Sequence, residues 1–201
     1  MVLGKNGKVE EKKENAIVDI HSIIKEINQN SNFCIFFKDC NTFNKMWNTY
    51  YLKNQKEHGV CTAFAVINCY YSLLFEKKIE IEKISKQKVE SLLKIAKTNG
   101  NIKNLSKELN MKIKKRYSSF WSFWQDHKKK QKPTPFLLSI WHKAYGHHLV
   151  SVVDYEPITE SWRIPNFEST TNLEGWIYDE DLKHYVRNVN DAMITKLTLI
   201  L

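Results

Sequence analysis

The chain has 201 residues, with 31 lysines and arginines against 22 acidic residues and a net charge of +9. That size suits one domain with a real core, and six Trp, nine Tyr and ten Phe exclude an unstructured polyelectrolyte. Charges or polar residues interrupt every apolar run, so no transmembrane span is expected. Met1 to Lys8 has no apolar signal region, which points to a cytoplasmic protein or a bacterial effector delivered into a host cytosol by a dedicated secretion system. The charge raises the question of nucleic acid. However, the lysines are spread over 5–13, 77–97, 112–115 and 128–132, mostly interleaved with Glu as on a solvated face. A nucleic-acid partner is therefore not expected.

Residues 1–15 are charged and poor in apolar side chains, as in a flexible leader, with a single domain expected over 16–201. From Ala16 to Ile27, Ile17, Val18, Ile20, Ile23, Ile24 and Ile27 recur at helical spacing. Phe33 to Phe37 reads as a short strand, and the aromatic-rich stretch from Asn41 to Lys53 delivers the chain to Gln55. Cys61 to Leu74 has no Gly or Pro and reads as a buried helix. Ile81 to Lys97 predicts a second helix, ended by Asn99-Gly100, and Ile102 to Leu109 a third. Met111 to Lys114 suggests a strand. Ser118 to Gln125 reads as a helix whose aromatic stripe is expected in the core rather than along a groove. Pro133 and Pro135 break the chain. Phe136–Trp141 and His148–Tyr155 then read as paired strands, followed by strands at Ser161–Pro165 and Trp176–Tyr178. A helical turn at Leu182–Val186 and a strand at Thr195–Leu201 close the chain. Helices first and strands last predict an α+β fold, with helices packed on an antiparallel sheet.

Three segments carry chemistry. Gly59 permits a tight turn before Cys61, which would sit near a helix N-terminus. Free N–H groups and the positive dipole end there favour a thiolate. Gln55 could aim its amide at an oxyanion beside the sulfur. The commoner fate of such a cysteine is an inert core position. His148, at the start of a strand, is the candidate general base, with His147 as its substitute. The bland reading makes both turn residues, and a metal pair lacks a matching ligand cluster. Asn166 could fix the imidazole tautomer, with Glu168 as the alternative. Cys34 and Cys40 could form a loop bridge, although a chain of this size does not need one.

Together these motifs resemble the papain-like cysteine peptidases over roughly residues 50–185. Gln55, then Cys61-Thr62-Ala63-Phe64, is similar to the family's nucleophile segment. His148 with Tyr155 down the same strand resembles its histidine strand. A Trp162-led strand ending at Asn166, followed by Gly175-Trp176-Ile177, resembles its asparagine segment. The compact spacing looks like staphopain-type enzymes and the peptidase domains of bacteriocin exporters. The resemblance implies a papain-like fold in which an N-terminal helical part carrying Cys61 packs on an antiparallel sheet carrying His148 and Asn166. It also implies an oxyanion hole from Gln55 and the Cys61 N–H, with the Asn166 side-chain oxygen orienting His148. Two features depart from the family. Asn166 is followed by Phe167-Glu168-Ser169, with Phe167 standing in for a shielding Trp, and His58 occupies the place of a disulfide cysteine. The implied activity is a cysteine protease acting on protein or peptide substrates, without metal or organic cofactor. The same three groups would serve a glutamine deamidase or transglutaminase. Outside enzymology, the chain would be a basic interaction module with an inert Cys61.

Overall fold

The first regular helix, α1, runs from Cys61 to Glu76 and is buried on nearly all sides, from Ala63 through Leu74. A helix apolar all round belongs inside a fold. The structure, a computed structural model, describes residues 49–52, 59–119, 123, 135–142, 146–156, 160–166, 175–187 and 194–200, all within one unit, Trp47–Leu201. The expected leader, the 16–27 helix, the 33–37 strand, Cys34, Cys40, Gln55, His58, Lys128–Lys132, Phe167 and Glu168 lie outside the described residues.

Helix α2 spans Lys86–Asn99. It starts later than Ile81 for a local reason. The Ile84 N–H donates to the Tyr71 hydroxyl at 2.9 Å and the Ile81 carbonyl accepts from Tyr50 at 3.1 Å, so both main-chain groups are used outside a helix. Ser85 then caps the first turn, its side chain accepting from the Lys88 N–H. Gly100 ends the helix in the left-handed region at φ 51°, where a glycine costs least. Helix α3, Ile102–Glu108, is capped by the Asn101 side chain.

Strands β1 (Met111–Tyr117), β2 (Phe136–His142), β3 (Gly146–Val152) and β7 (Ile194–Leu199) form one antiparallel sheet in the order β1-β7-β2-β3. Strands β4 (Asp154–Glu156), β5 (Ser161–Arg163) and β6 (Trp176–Tyr178) form a second antiparallel sheet. The single strand expected over His148–Tyr155 is therefore two. The chain changes sheets at Val153, whose N–H bonds the Arg163 carbonyl at 2.9 Å, a corner of the kind that joins packed sheets. The expected turn of helix at Leu182–Val186 is a longer helix, α4, Asp179–Arg187. Its first turn is acidic, which suits the dipole, and Asp179 also accepts from the Trp162 ring N–H at 3.1 Å.

Alternation along β2 and β3 sorts the core. Phe136, Leu138 and Ile140 pair with Val152, Val150 and His148, so these six share one face. All but His148 join an apolar cluster with Trp162, Ile177, Leu182, Val186 and Ile194. Phe123, from the expected aromatic helix, is fully buried there against Phe136, with ring centroids 4.4 Å apart. Leu137 and Ser151, on the opposite face, are also fully buried. Helix α1 meets β3 more extensively than any other strand. The fold is thus mixed α+β, with helices and two antiparallel sheets in contact.

The outer edge of the first sheet is β1. It exposes Lys112, Lys114, Lys115 and Arg116 and bulges between Ile113 and Lys115. Charge and a bulge are what keep an edge strand from pairing with another chain. No described helix is long and apolar enough to cross a membrane.

Candidate active site

Gly59 stands at φ +78° with open space where a Cβ would be. Its role is backbone shape, since a left-handed turn before a helix strains other residues. Val60 follows as N-cap and contributes no side-chain hydrogen bond. Its carbonyl receives the N–H groups of Ala63 and Phe64 at 3.0 and 3.2 Å. The N–H groups of Cys61 and Thr62 thus lie ahead of the helical ladder, at the positive end of a 16-residue helix. Cys61 is half-buried and free of any disulfide.

His148 reaches this helix head from the sheet. The residue is only 9% exposed, and its side chain is hydrogen-bonded to Cys61. Its Nε2 lies 3.2 Å from the main-chain carbonyl oxygen of Asn166. A carbonyl can only accept, so Nε2 carries the proton. Nδ1 is then the ring atom left with a lone pair for the thiol.

Burial, the largest influence on Cys61, pushes its thiol up. The hydrogen bond with His148, the Leu149 N–H, the His148 charge and the Thr62 hydroxyl pull the other way, and the net is a thiol held below its ordinary range. A thiolate beside an imidazolium is the reactive form of such a pair.

The Leu149 contribution follows from topology. Strand β3 is an edge strand of its sheet. Successive residues turn their main-chain groups to alternate sides, so Leu149, Ser151 and Val153 all face the open edge. The Leu149 N–H is directed at Cys61. The Leu149 carbonyl accepts from Asn166 Nδ2 at 3.1 Å, and the Ser151 N–H donates to Asn166 Oδ1 at 3.2 Å. The Val153 N–H continues the row onto Arg163.

Asn166 therefore differs from the expectation. Its side chain, in a residue only 1% exposed, was expected to orient His148 through its oxygen. It instead acts as a short substitute strand along β3, and the atom facing the imidazole is the Asn166 main-chain oxygen. The physical reason is geometric. An amide offers one donor and one acceptor side by side, matching the carbonyl and N–H of two alternate edge residues. With both ends of the amide engaged along that edge, the main-chain oxygen is the atom left facing the ring.

His147 is turned away from this centre. It is exposed, and its ring packs edge-on against Trp141 at 4.9 Å. Of the two histidines, His148 is the one brought to Cys61. Gly100, at the end of α2, places the α2–α3 junction beside Thr62, with a Cβ built there 3.9 Å from Oγ1. Gln55 lies outside the described residues, although the stretch before it is held firmly. Asn68 on α1 accepts the Leu52 N–H at 2.8 Å and donates to the Leu52 carbonyl at 2.9 Å, while Tyr51 shares a 2.7 Å hydrogen bond with Ser72.

Among the described residues, no group of three or more His, Cys, Asp or Glu side chains could hold a metal ion. No protein-family model matches the sequence, and no curated protein matches it significantly. Sequence reading missed the Leu149 N–H, because a main-chain donor leaves no mark in residue type. Only knowing that β3 is an edge could have exposed it.

Proposed function

We propose that the chain is a papain-like thiol hydrolase, a cysteine peptidase that opens peptide bonds through a thioester on Cys61. The observation that carries this reading is the hydrogen bond between Cys61 and His148, made at an uncapped helix head with the distal ring nitrogen on the Asn166 carbonyl. A merely structural buried cysteine has no use for such surroundings. The order of elements also supports the papain-like fold, with the helix bearing the thiol in contact with the strand bearing the histidine.

In this mechanism His148 Nδ1 takes the thiol proton, and the imidazolium stays paired with the thiolate. The thiolate adds to the substrate carbonyl. The Cys61 N–H and the Gln55 amide receive the developing oxyanion. His148 then gives its proton to the leaving amine as the C–N bond breaks. Water, deprotonated by His148, clears the thioester and restores the thiol. The Asn166 main-chain oxygen keeps Nε2 protonated throughout, so that Nδ1 is the working atom.

Iodoacetamide labelling followed by mass spectrometry across pH tests the pair. Because the Cys61 thiol lies below its ordinary range, its thiolate persists at lower pH. Labelling should stay fast below pH about 7.5, where a free thiol near 8.5 is largely protonated, and fade only as pH falls through the lowered value. His148→Ala should move the profile up to ordinary thiol behaviour. Gln55→Ala should slow acyl transfer from an activated ester by about 10²–10³, the scale of one lost oxyanion donor. Labelling of Cys61 at ordinary thiol rates, indifferent to His148, would sink the reading in favour of an inert cysteine in a basic binding module.

A further inference from the structure

The two strands at the outer edge of the first sheet sort their side chains by face. Ile113 pairs with Leu197 and Met111 with Leu199, and Met111 and Leu197 are buried on that side. Alternation puts Lys112, Lys115, Lys196 and Thr198 on the other side, with Lys112 in register with Thr198 and Lys115 with Lys196. At one end of the strands this second side carries Ile194 into the apolar cluster. Toward the other end it opens to water, where Lys112, Lys115 and the bulged Lys114 are exposed.

These charges are held in place. Lys115 Nζ lies 4.4 Å from the centre of the Tyr117 ring, and Lys196 Nζ lies 5.3 Å from that of Phe123. Each ring supports a lysine stem and leaves the ammonium at the surface. Neither strand contains an acidic residue, and like charges set directly opposite across a strand pair cost stability. Protection of a sheet edge accounts for lysines on β1. It does not account for Lys196, which belongs to an inner strand, nor for Ile200. That side chain is 53% exposed, one of two large apolar side chains left so among the described residues. The Ile200 N–H donates to the Asn110 carbonyl at 2.7 Å, which continues the β1–β7 register. Alternation therefore brings Ile200 onto the lysine face, two residues beyond Thr198.

We propose that this face docks on an anionic lipid bilayer, with its lysines against the headgroups and Ile200 in the interfacial layer. The attachment is peripheral and does not rest on the thiol-hydrolase reading. Charge complementarity calls for an anionic partner, and Ile200 selects the bilayer among anionic partners. A nucleic-acid backbone rewards the charge alone. A bilayer interface rewards charge and an apolar side chain together, and firm attachment needs both signals.

Co-sedimentation of the full-length protein with vesicles tests the assignment. One set is phosphatidylcholine alone and the other a mixture of phosphatidylcholine and phosphatidylserine, both near physiological salt. Partition should favour the mixture by about 10², and should weaken as salt is added. The triple change Lys112→Gln, Lys114→Gln, Lys115→Gln should lose about 10² in partition, about fivefold per lysine. The single variants, each about fivefold weaker, carry the test if the triple change unfolds the chain. Lys83→Gln, Lys94→Gln, Lys103→Gln removes the same charge from exposed positions elsewhere, and should lose less than about threefold. Ile200→Ser should lose about tenfold. Equal losses in the two triple variants would mean that net charge alone holds the protein, and would overturn the proposal. So would equal partition to the two kinds of vesicle. Tighter binding to a single-stranded DNA oligonucleotide than to the mixed vesicles, with Ile200→Ser neutral on both, would overturn it in favour of a nucleic-acid surface.

Discussion

The head and the middle of α1 each carry a cysteine, and they contrast sharply. Cys61 and Cys69 lie about 12 Å apart along one helix axis. Cys61 is half-buried, meets His148 and the Leu149 N–H, and has its thiol held below the ordinary range. Cys69 is fully buried, and burial, with a smaller push from Glu76, raises its thiol well above that range. The helix, the residue type and the chain neighbourhood are much the same. Position along the helix and the partner opposite decide the chemistry, because ionisation needs a free dipole end and donors while burial alone opposes it.

The strongest test of this contrast is reactivity. At neutral pH in the native protein, iodoacetamide should modify Cys61 at least about 10³ times faster than Cys69, given the opposite thiolate fractions and access. Comparable rates on the two would erase the distinction. Lowering the pH should slow Cys61 only as its thiolate is protonated, while Cys69 should stay silent throughout.

A second contrast is between two buried asparagines. Asn68 grips the N–H and carbonyl of Leu52. Asn166 grips the Ser151 N–H and the Leu149 carbonyl and also turns its own main-chain oxygen toward His148. Replacing Asn166 by Ala removes the clamp but leaves that oxygen. Stability should fall by about 1–3 kcal/mol, the cost of stranding buried main-chain groups, and hydrolysis by about tenfold as β3 loosens. The pH midpoint of Cys61 labelling should nevertheless move far less than in His148→Ala. A shift as large as that of His148→Ala would mean that the Asn166 side chain orients the ring after all.

Asn68→Ala gives the smallest effect on the chemistry. It should cost about 1–3 kcal/mol in a denaturant titration and leave the pH profile of Cys61 labelling where it was, since Asn68 touches neither partner of the pair. A displaced profile would show that the Leu52 anchor reaches the helix head.

Much of this was legible in the chain itself. The unbroken apolar run after Gly59 announces α1, and period-2 alternation separates His147 from His148. Ser85, Gly100 and Asn101 mark the ends of α2 and α3, although only the tyrosine hydroxyls on Ile81 and Ile84 explain why α2 starts late. The break at Val153 was not legible, because a strand that changes sheets keeps the same apolar pattern on both sides of the corner. The role of Asn166 was legible as a position and misread as an atom. Residue type says that an amide is present, while the direction it faces depends on which main-chain groups lie open beside it.

Local rules thus determined by themselves where most of the described helices and strands lie, and that Cys61 heads a helix, since capping, turn and periodicity preferences act within a few residues. Only the tertiary structure decided that His148 meets Cys61, that Cys69 is shut away, and that β3 presents an open edge. Those are contacts between distant parts of the chain, and they are settled by how the helix and the sheet pack together.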